Sequence, residues 1–374
     1  MKSRKKYLGL LAALLAGVLG VNRSYAQDTT DDTKDTAPAI TTSDLEILNN
    51  RLTALEKSSV VLSFEHNYLD LSTQKGDFVL KIGGVVQGDY RSYFEPATKY
   101  DDYLPIGESG GGTNNFEEGA TAPAVNKSTS TFLDRKIRLD VVALFDNFVG
   151  LRYQAELGST GYAIQDAYAF LKADPAIQFQ LGKFKVPVGL ERLQSDTDTL
   201  FAERALPTDL VPNRDLGLQI NGTPWAGINY AIALTNGTPD NYTPNNADDS
   251  DLTNGKELSG RLFLTPFQPT DSFLKNLGVG ISGGLTSNVN WNSNALPNYF
   301  VTSLGQQQFF AYRTGVSPQG DFYHLSPQAY FYNGPFGLLG EYVKSTQNVG
   351  TSTATAVNLD NQAYLLEASW VIGG

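Results

Sequence analysis

The 374-residue chain carries a formal net charge of −11 and contains no cysteine and only two histidines. The absence of cysteine excludes a disulfide scaffold and any thiolate metal site, and two histidines leave little for imidazole ligation or acid–base catalysis. The acidic balance argues against nucleic-acid binding. The sequence therefore predicts no metal, no cofactor and no catalytic site, so we do not expect an enzyme.

The first predicted element is a signal peptide at residues 1–26. Four cations in the first six residues precede an apolar run from Leu8 to Val21, which is the order of a secretory signal. The run has about 14 residues, fewer than the roughly 20 that a membrane-spanning helix needs. Export is therefore favoured over a membrane anchor. Without residues 1–26 the chain has 23 Lys and Arg against 39 acids, a net charge of −16.

Two short segments follow. Residues 27–43 are polar and cannot bury enough surface to fold, so we predict a disordered linker. Residues 44–58 contain leucines spaced 3, 4 and 3 apart, which is the seam of a short coiled-coil helix; they are Leu45, Leu48, Leu52 and Leu55. Two heptads are marginal alone in water, so the helix needs a partner. Three copies in a trimer supply one, and packing against the β-structure of the same chain is the alternative.

From residue 77 onward the apolar pattern has a period of two, which indicates strands with one apolar and one polar face. In the first of these strands Leu80, Ile82 and Val86 alternate with Lys81 and Arg91. About twelve such strands are predicted, near residues 77–94, 131–145, 150–157, 163–172, 177–186, 215–223, 227–235, 257–266, 276–287, 321–332, 336–346 and 361–372.

Short turns alternate with long connections along this series, as in outer-membrane barrels. A soluble sandwich would turn polar faces inward or leave apolar faces in water. We therefore predict an all-β fold: a transmembrane antiparallel β-barrel over residues 77–374, with a polar lumen and a lipid-facing exterior. Barrels of this class usually end in an aromatic residue, whereas this chain stops at Gly374. We expect an incomplete barrel that is truncated at its C-terminus.

Residues 181–222 carry the runs GKFKVPVGLE, FAERALP and PNRDLGLQ, and LDRKIRLD and SPQAYFYNGPFGLLGEYV lie before and after them. On these residues the chain resembles the phosphate-selective porin O and P family over most of residues 43–372. The resemblance implies a sixteen-stranded barrel, four strands more than the twelve predicted. It also implies a homotrimer in the outer membrane that conducts anions such as phosphate through a narrowed pore.

Residues 187–214 follow the fifth predicted strand, where the resemblance implies a loop that folds into the lumen. The segment is too apolar for an ordinary surface loop, because it contains Leu200, Phe201, Ala205, Leu206, Leu210 and Val211. The run from Asp196 to Thr199 can start a short helix. We therefore predict that residues 187–214 narrow the pore.

Eleven cations are predicted to line an anion path, either because alternation along a strand places them on its polar face or because they lie near residues 187–214. Arginine offers a planar fork to oxyanions and lysine a mobile point charge; the eleven are Lys81, Arg91, Lys136, Arg138, Arg152, Lys183, Lys185, Arg192, Arg204, Arg214 and Arg261. Parity also places acids on the same face, so salt bridges that brace the wall are the alternative role; these acids are Asp89, Asp140, Glu156, Glu257, Glu341 and Glu367.

The sequence thus predicts an exported porin of the Gram-negative outer membrane for passive diffusion of small anions, including phosphate or other oxyanions. Its expected partners are outer-membrane lipid, the permeating anions and two further copies of itself, with no nucleic acid. A general or carbohydrate-type porin without anion preference is the first alternative. A non-conducting structural or adhesive barrel is the second.

Overall fold

The computed structural model describes residues 46–47, 49–51, 60–65, 67–92, 130–158, 163–237, 255–290, 316–352 and 355–373. The chain divides into two units, residues 1–55 and 56–374. The predicted signal peptide and linker lie outside the described residues, and so do the four leucines of the predicted coiled coil. Residues 46–47 and 49–51 of the first unit are helical. None of the helices in the described part of the chain is long and apolar enough to cross a membrane.

The second unit contains an antiparallel sheet of fourteen strands, in which each strand pairs with its neighbours in chain order. Its strands are β1 (Val60–Glu65), β2 (Tyr68–Thr73), β3 (Phe78–Arg91), β4 (Thr131–Phe145), β5 (Val149–Glu156), β6 (Ala163–Asp174), β7 (Ile177–Lys185), β8 (Arg214–Trp225), β9 (Ile228–Thr235), β10 (Glu257–Leu264), β11 (Leu277–Asn290), β12 (Ser317–Asn333), β13 (Phe336–Gly350) and β14 (Val357–Trp370). The all-β prediction is confirmed, and each of the twelve predicted strands overlaps one of β3 to β14.

The prediction of about twelve strands omits the hairpin β1–β2, so the sheet begins at Val60 and not at residue 77. Glu65 pairs with Tyr68, and Asn67 between them has a φ of 68°. Asparagine tolerates this left-handed conformation, which tight hairpin turns require. Both strands have only six residues, and β1 is exposed throughout. Neither strand is therefore long enough, or buried on one side strongly enough, to give a clear alternating pattern.

The two faces of the sheet reverse the exposure pattern of a soluble protein. On the apolar face Val86 is 83% exposed and Leu366 75% exposed. On the polar face Asp140, Glu156 and Glu341 are almost completely buried. Exposed apolar surface is unfavourable in water, and buried charge is costly unless it is paired. The arrangement is therefore stable when the apolar face meets apolar surroundings and the charges of the polar face have partners.

Residues 186–213 between β7 and β8, here called the inner segment, show that the sheet is strongly curved. The backbone N–H of Leu190 donates to Glu341 on β13, and Asp196 binds Arg138 on β4. Six extended residues span at most about 21 Å, whereas nine strand spacings in a flat sheet measure about 43 Å. The sheet therefore curves around the inner segment, with its polar face on the concave side.

Candidate functional site

Apolar contacts attach the two ends of the inner segment to β13. Val186 and Val188 at its start, and Leu210 and Val211 at its end, pack together with Val343 and are at most 2% exposed. Burying a side chain of this size contributes about 1.5–3 kcal/mol. Leu210 and Val211, two of the apolar residues that suggested infolding, are therefore buried against β13.

Other apolar residues that suggested infolding are not buried. Leu200, Phe201 and Leu206 are each more than half exposed. The middle of the inner segment is therefore held by polar contacts instead.

Glu341 on β13 is the main polar anchor of the inner segment. Its carboxylate is 4% exposed and accepts hydrogen bonds from the backbone N–H groups of Leu190 (2.8 Å) and Glu191 (3.1 Å) and from the hydroxyl of Ser326 (2.8 Å). A further backbone N–H, that of Gly189, donates to Ser282 on β11 at 3.0 Å. Three consecutive backbone N–H groups of the inner segment thus donate to side chains on the polar face of the sheet.

Ion pairs hold the opposite side of the inner segment against β3 and β4. Glu203 accepts two hydrogen bonds from Arg135, at 2.7 and 3.0 Å, and also pairs with Arg91. Two nitrogens of one guanidinium thus donate to the two oxygens of one carboxylate, which is a strong form of charge-assisted hydrogen bonding. Glu203 therefore links the inner segment to both β3 and β4.

Asp196 is surrounded by cations. Its carboxylate pairs with Arg138, with Arg204 at 2.8 Å and with Lys136 at 3.6 Å. Arg138 also pairs with Glu156 on β5 at 2.5 Å, so two carboxylates face three cations here. The region around Asp196 keeps an excess of positive charge even though each of these cations has a partner.

Arg135 is not among the eleven predicted cations. The register between β3 and β4 shifts at Gln87 and Gly88, and Arg135 is the extra residue of this β-bulge. The bulge lets Arg135 reach Glu203 while Lys136 remains on the polar face. The signal was present in the sequence, because two adjacent cations cannot both point to one face of a regular strand.

The prediction that a short helix begins at residues 196–199 is wrong. Residues 196–198 form a turn, and the short helix of the inner segment is a 3₁₀ helix at Leu206–Leu210. The Asp196 carboxylate binds cations and does not cap a helix. Glu191 supports the start of the 3₁₀ helix, because it accepts hydrogen bonds from the Ala205 N–H at 2.8 Å and the Thr208 hydroxyl at 3.0 Å.

A cavity of about 310 Å³, here called the basic cavity, lies between the polar face of β3–β8 and residues 193–196 of the inner segment. Its charged lining residues are Arg138, Arg152, Lys185, Arg214, Asp166 and Asp196. Four basic side chains thus meet two carboxylates, and the amides of Gln154, Gln180 and Gln219 complete the polar lining. Such a lining can hold an oxyanion through several donors at once.

Fixed contacts hold the basic side chains of this cavity in place. Arg214 pairs with Asp166 at 2.7 Å, and Arg152 pairs with Asp140 at 2.7 Å. The amino group of Lys185 donates to two backbone carbonyl oxygens of the inner segment, those of residues 192 (3.0 Å) and 194 (2.8 Å). The lining is therefore preorganised before any ligand enters.

The eleven predicted cations fall into three groups. Four line the basic cavity: Arg138, Arg152, Lys185 and Arg214. Four others bind the inner segment or belong to it: Arg91, Lys136, Arg192 and Arg204. The structure does not bring the remaining three to the cavity; these are Lys81, Lys183 and Arg261.

The three outlying cations have separate surroundings. Lys81 pairs with Asp70 on the neighbouring strand β2. Arg261 on β10 donates to the side-chain oxygen of Gln328 and lies 4.6 Å from the ring centre of Phe263. Lys183 on β7 is 2% exposed. The eleven cations therefore do not form one continuous row in the described part of the chain.

Asp209 in the 3₁₀ helix gives the inner segment a predicted pH dependence. It is 7% exposed, and its Oδ2 accepts no hydrogen bond from any described residue. Burial raises the pKa of Asp209 from 3.8 to about 7, against the opposing effect of the Arg192 charge. The folded state thus holds a proton that the unfolded state releases above about pH 4.

We expect the free energy of unfolding to fall as the pH rises from about 4 to about 7, and Asp209→Asn to remove this slope. At neutral pH the variant should be more stable, by up to about 4 kcal/mol at 1.36 kcal/mol per pKa unit. Urea unfolding in detergent micelles across this range measures both effects. Parallel pH profiles of the two proteins would contradict the assignment.

Comparison with known proteins places these features in a family. A family model described as phosphate-selective porin O and P matches residues 110–374, which include β4 to β14 and the whole inner segment. No curated protein matches the chain with significance. The matched range therefore contains every lining residue of the basic cavity except Val85, and most of the contacts that hold the inner segment.

Proposed function

Because the chain belongs to the phosphate-selective porin O and P family, we propose that it is an outer-membrane channel for the passive diffusion of small anions, oxyanions such as phosphate among them. The proposal includes closure of the curved sheet into a barrel. Open sheet edges leave backbone groups without partners in hydrocarbon, so a membrane-spanning sheet must close. The exposed apolar face then meets lipid, and the buried polar face lines the lumen.

We propose that the inner segment narrows this lumen. Its contacts with β4 on one side and with β11 and β13 on the other support a position across the concave face. Permeating ions must then pass close to side chains of the inner segment. Charges act most strongly in such a passage, because low-dielectric walls focus their field.

The basic cavity is the observation that carries the anion preference. Its four basic side chains and the adjoining Lys136 and Arg204 give six cations, whereas the carboxylates that pair with them number four: Asp140, Glu156, Asp166 and Asp196. Positive charge is therefore in local excess, although the whole chain is acidic. Three of the four basic side chains in the lining are arginines, whose planar forks match oxyanion geometry and which stay charged at any physiological pH. A phosphate ion entering here would exchange water for several fixed donors.

A general porin without anion preference is the second candidate. At least seven of the eleven predicted cations form ion pairs with carboxylates, which supports the bracing role; they are Lys81, Arg91, Lys136, Arg138, Arg152, Arg204 and Arg214. A paired cation attracts a passing anion less than a free one. Selectivity in our proposal therefore comes from the local excess near Asp196 and in the basic cavity, and not from a row of free cations.

Three features of the N-terminus complete the proposal. Residues 1–26 direct export and are removed, and residues 27–43 form a linker. The leucine-rich residues 44–58 then associate with the same residues of two other copies, which gives a homotrimer. The spacing of the leucines supports this assembly.

Charge reversal at Arg138 in the basic cavity and at Arg204 beside Asp196 tests the function. Phosphate at millimolar concentration should reduce the chloride current of the wild-type channel in planar bilayers, and the double variant Arg138→Glu/Arg204→Glu should lose this inhibition and its anion preference. Lys75→Glu makes the same change of sign in the exposed turn between β2 and β3, outside the cavity, and should behave as wild type. Equal phosphate inhibition in all three proteins would favour bracing and a general porin.

A further inference from the structure

A second cavity, of about 290 Å³, lies between residues 194–200 of the inner segment and strands β12–β14. We call it the acidic cavity. Its charged groups are the carboxylates of Asp198 and Glu367, and Tyr332, Ser369 and the leucines at 200, 338 and 339 contribute to the rest of the lining. Among the described residues that line it there is no lysine or arginine. Its chemistry is thus opposite to that of the basic cavity.

Glu367 is the unusual group of the acidic cavity. It lies on β14 and is only 8% exposed, yet it makes no hydrogen bond and no ion pair with any residue in the described ranges. The nearby charge of Glu191 is negative and disfavours a second carboxylate. A buried carboxylate without a partner is costly, and a cation in the cavity would remove that cost.

The lining favours an organic cation over a metal ion. Hard metal ions need several oxygen ligands, and no group of three or more His, Cys, Asp or Glu side chains in the described part of the chain could hold one. Leu200 and Leu339 of the lining suit an alkyl chain. Tyr332 is 41% exposed and packs against Tyr330 with ring centres 5.3 Å apart, so its ring is held in place and can attract an ammonium group.

We propose that the acidic cavity binds an organic ammonium ion of the linear alkyl-diamine type. One ammonium group pairs with Glu367, the alkyl chain lies against these two leucines and the Tyr332 ring, and Asp198 attracts the second ammonium group. This site lies on the other side of the inner segment from the basic cavity. It extends the proposed function, because it adds a cation site to a channel that selects anions.

Binding of cadaverine to the detergent-solubilised full chain, measured by isothermal titration calorimetry at low ionic strength, tests the site without requiring conductance. We expect saturable binding to the wild type and at least about tenfold weaker binding to Glu367→Gln, since about 1.4 kcal/mol corresponds to a factor of ten. Asp360→Asn removes an exposed carboxylate from the same strand and should bind as wild type. The uncharged analogue 1,5-pentanediol should not compete.

Four results would overturn the proposal: no binding by the wild type, equal binding by Glu367→Gln, equal loss in Asp360→Asn, or competition by the diol. If Glu367→Gln does not fold, Tyr332→Leu must weaken binding several-fold, because it removes the aromatic ring without changing the charge. Unchanged binding by that variant would also overturn the site. Because calorimetry does not depend on ion flow, failure here is distinct from failure of the anion channel in bilayers.

Discussion

Replacing Asp196 by asparagine is expected to make the channel bind phosphate about tenfold more tightly. The substitution keeps the size of the side chain and removes one of the two negative charges that pair with Lys136, Arg138 and Arg204, the other being that of Glu156. The interaction energy of two unit charges about 4 Å apart is about 4 kcal/mol at an effective dielectric constant of about 20. Solvent screening reduces this energy. About 1.4 kcal/mol is enough for a tenfold change.

The phosphate concentration that halves the chloride current measures this effect. Asp146→Asn is a matched control, since Asp146 lies in the exposed turn between β4 and β5 with a φ of 50°, which asparagine also tolerates. General damage to the channel would weaken phosphate inhibition, whereas the predicted change strengthens it. Unchanged or weaker inhibition in Asp196→Asn would mean that the three cations only brace the wall.

The second large effect is expected for Glu341→Ala, which should release the inner segment from β13. The substitution leaves the N–H groups of Leu190 and Glu191 and the hydroxyl of Ser326 without their acceptor. Each buried donor without a partner costs about 1–3 kcal/mol, so the loss is comparable to the apolar contacts of the segment. We expect a severalfold higher single-channel conductance.

Trypsin supplies an independent measurement of this release. The guanidinium of Arg204 is bound to Asp196 and to a backbone carbonyl, and that of Arg192 to the carbonyl of Thr208. Both sites should resist cleavage in the wild type and be cut in Glu341→Ala. Glu341→Gln keeps one oxygen acceptor and should fall between the two. If Glu341→Ala has the conductance of the wild type and resists trypsin as the wild type does, other contacts hold the segment.

The strands could be predicted because a sheet with two different faces imposes a period of two on its sequence. On β3 the alternation correctly placed Ile82 and Val86 on the exposed apolar face, with Lys81 and Arg91 on the other. The rule fails where the backbone departs from regular pairing. At the bulge of β4 the parity changes, and for this reason Arg135 was missed.

The inner segment could be predicted only in part. Its apolar residues indicated infolding, but the residues that attach it depend on the curvature of the whole sheet. The contact between Leu190 and Glu341 joins positions 151 residues apart, on strands that are remote in the sheet order. Parity placed Glu341 on the polar face, yet its partners are backbone N–H groups of the inner segment. No local pattern in the sequence specifies such a contact.

The balance of charge around the basic cavity could not be predicted from the sequence either. The same residue types can form a ladder of free cations or a set of ion pairs, and the difference depends on distances of a few ångströms. Asp166 and Asp196 compensate part of the positive charge of the cavity, and the local excess that remains is the basis of the proposed selectivity.

The central claim is that the channel selects anions, and the zero-current potential of the full-length wild-type protein in a planar bilayer under a KCl gradient tests it most directly. We predict a potential with the sign for chloride permeation, which shrinks when Arg138 and Arg204 are replaced by glutamate. A potential near zero, or one with the sign for potassium permeation, would contradict the claim.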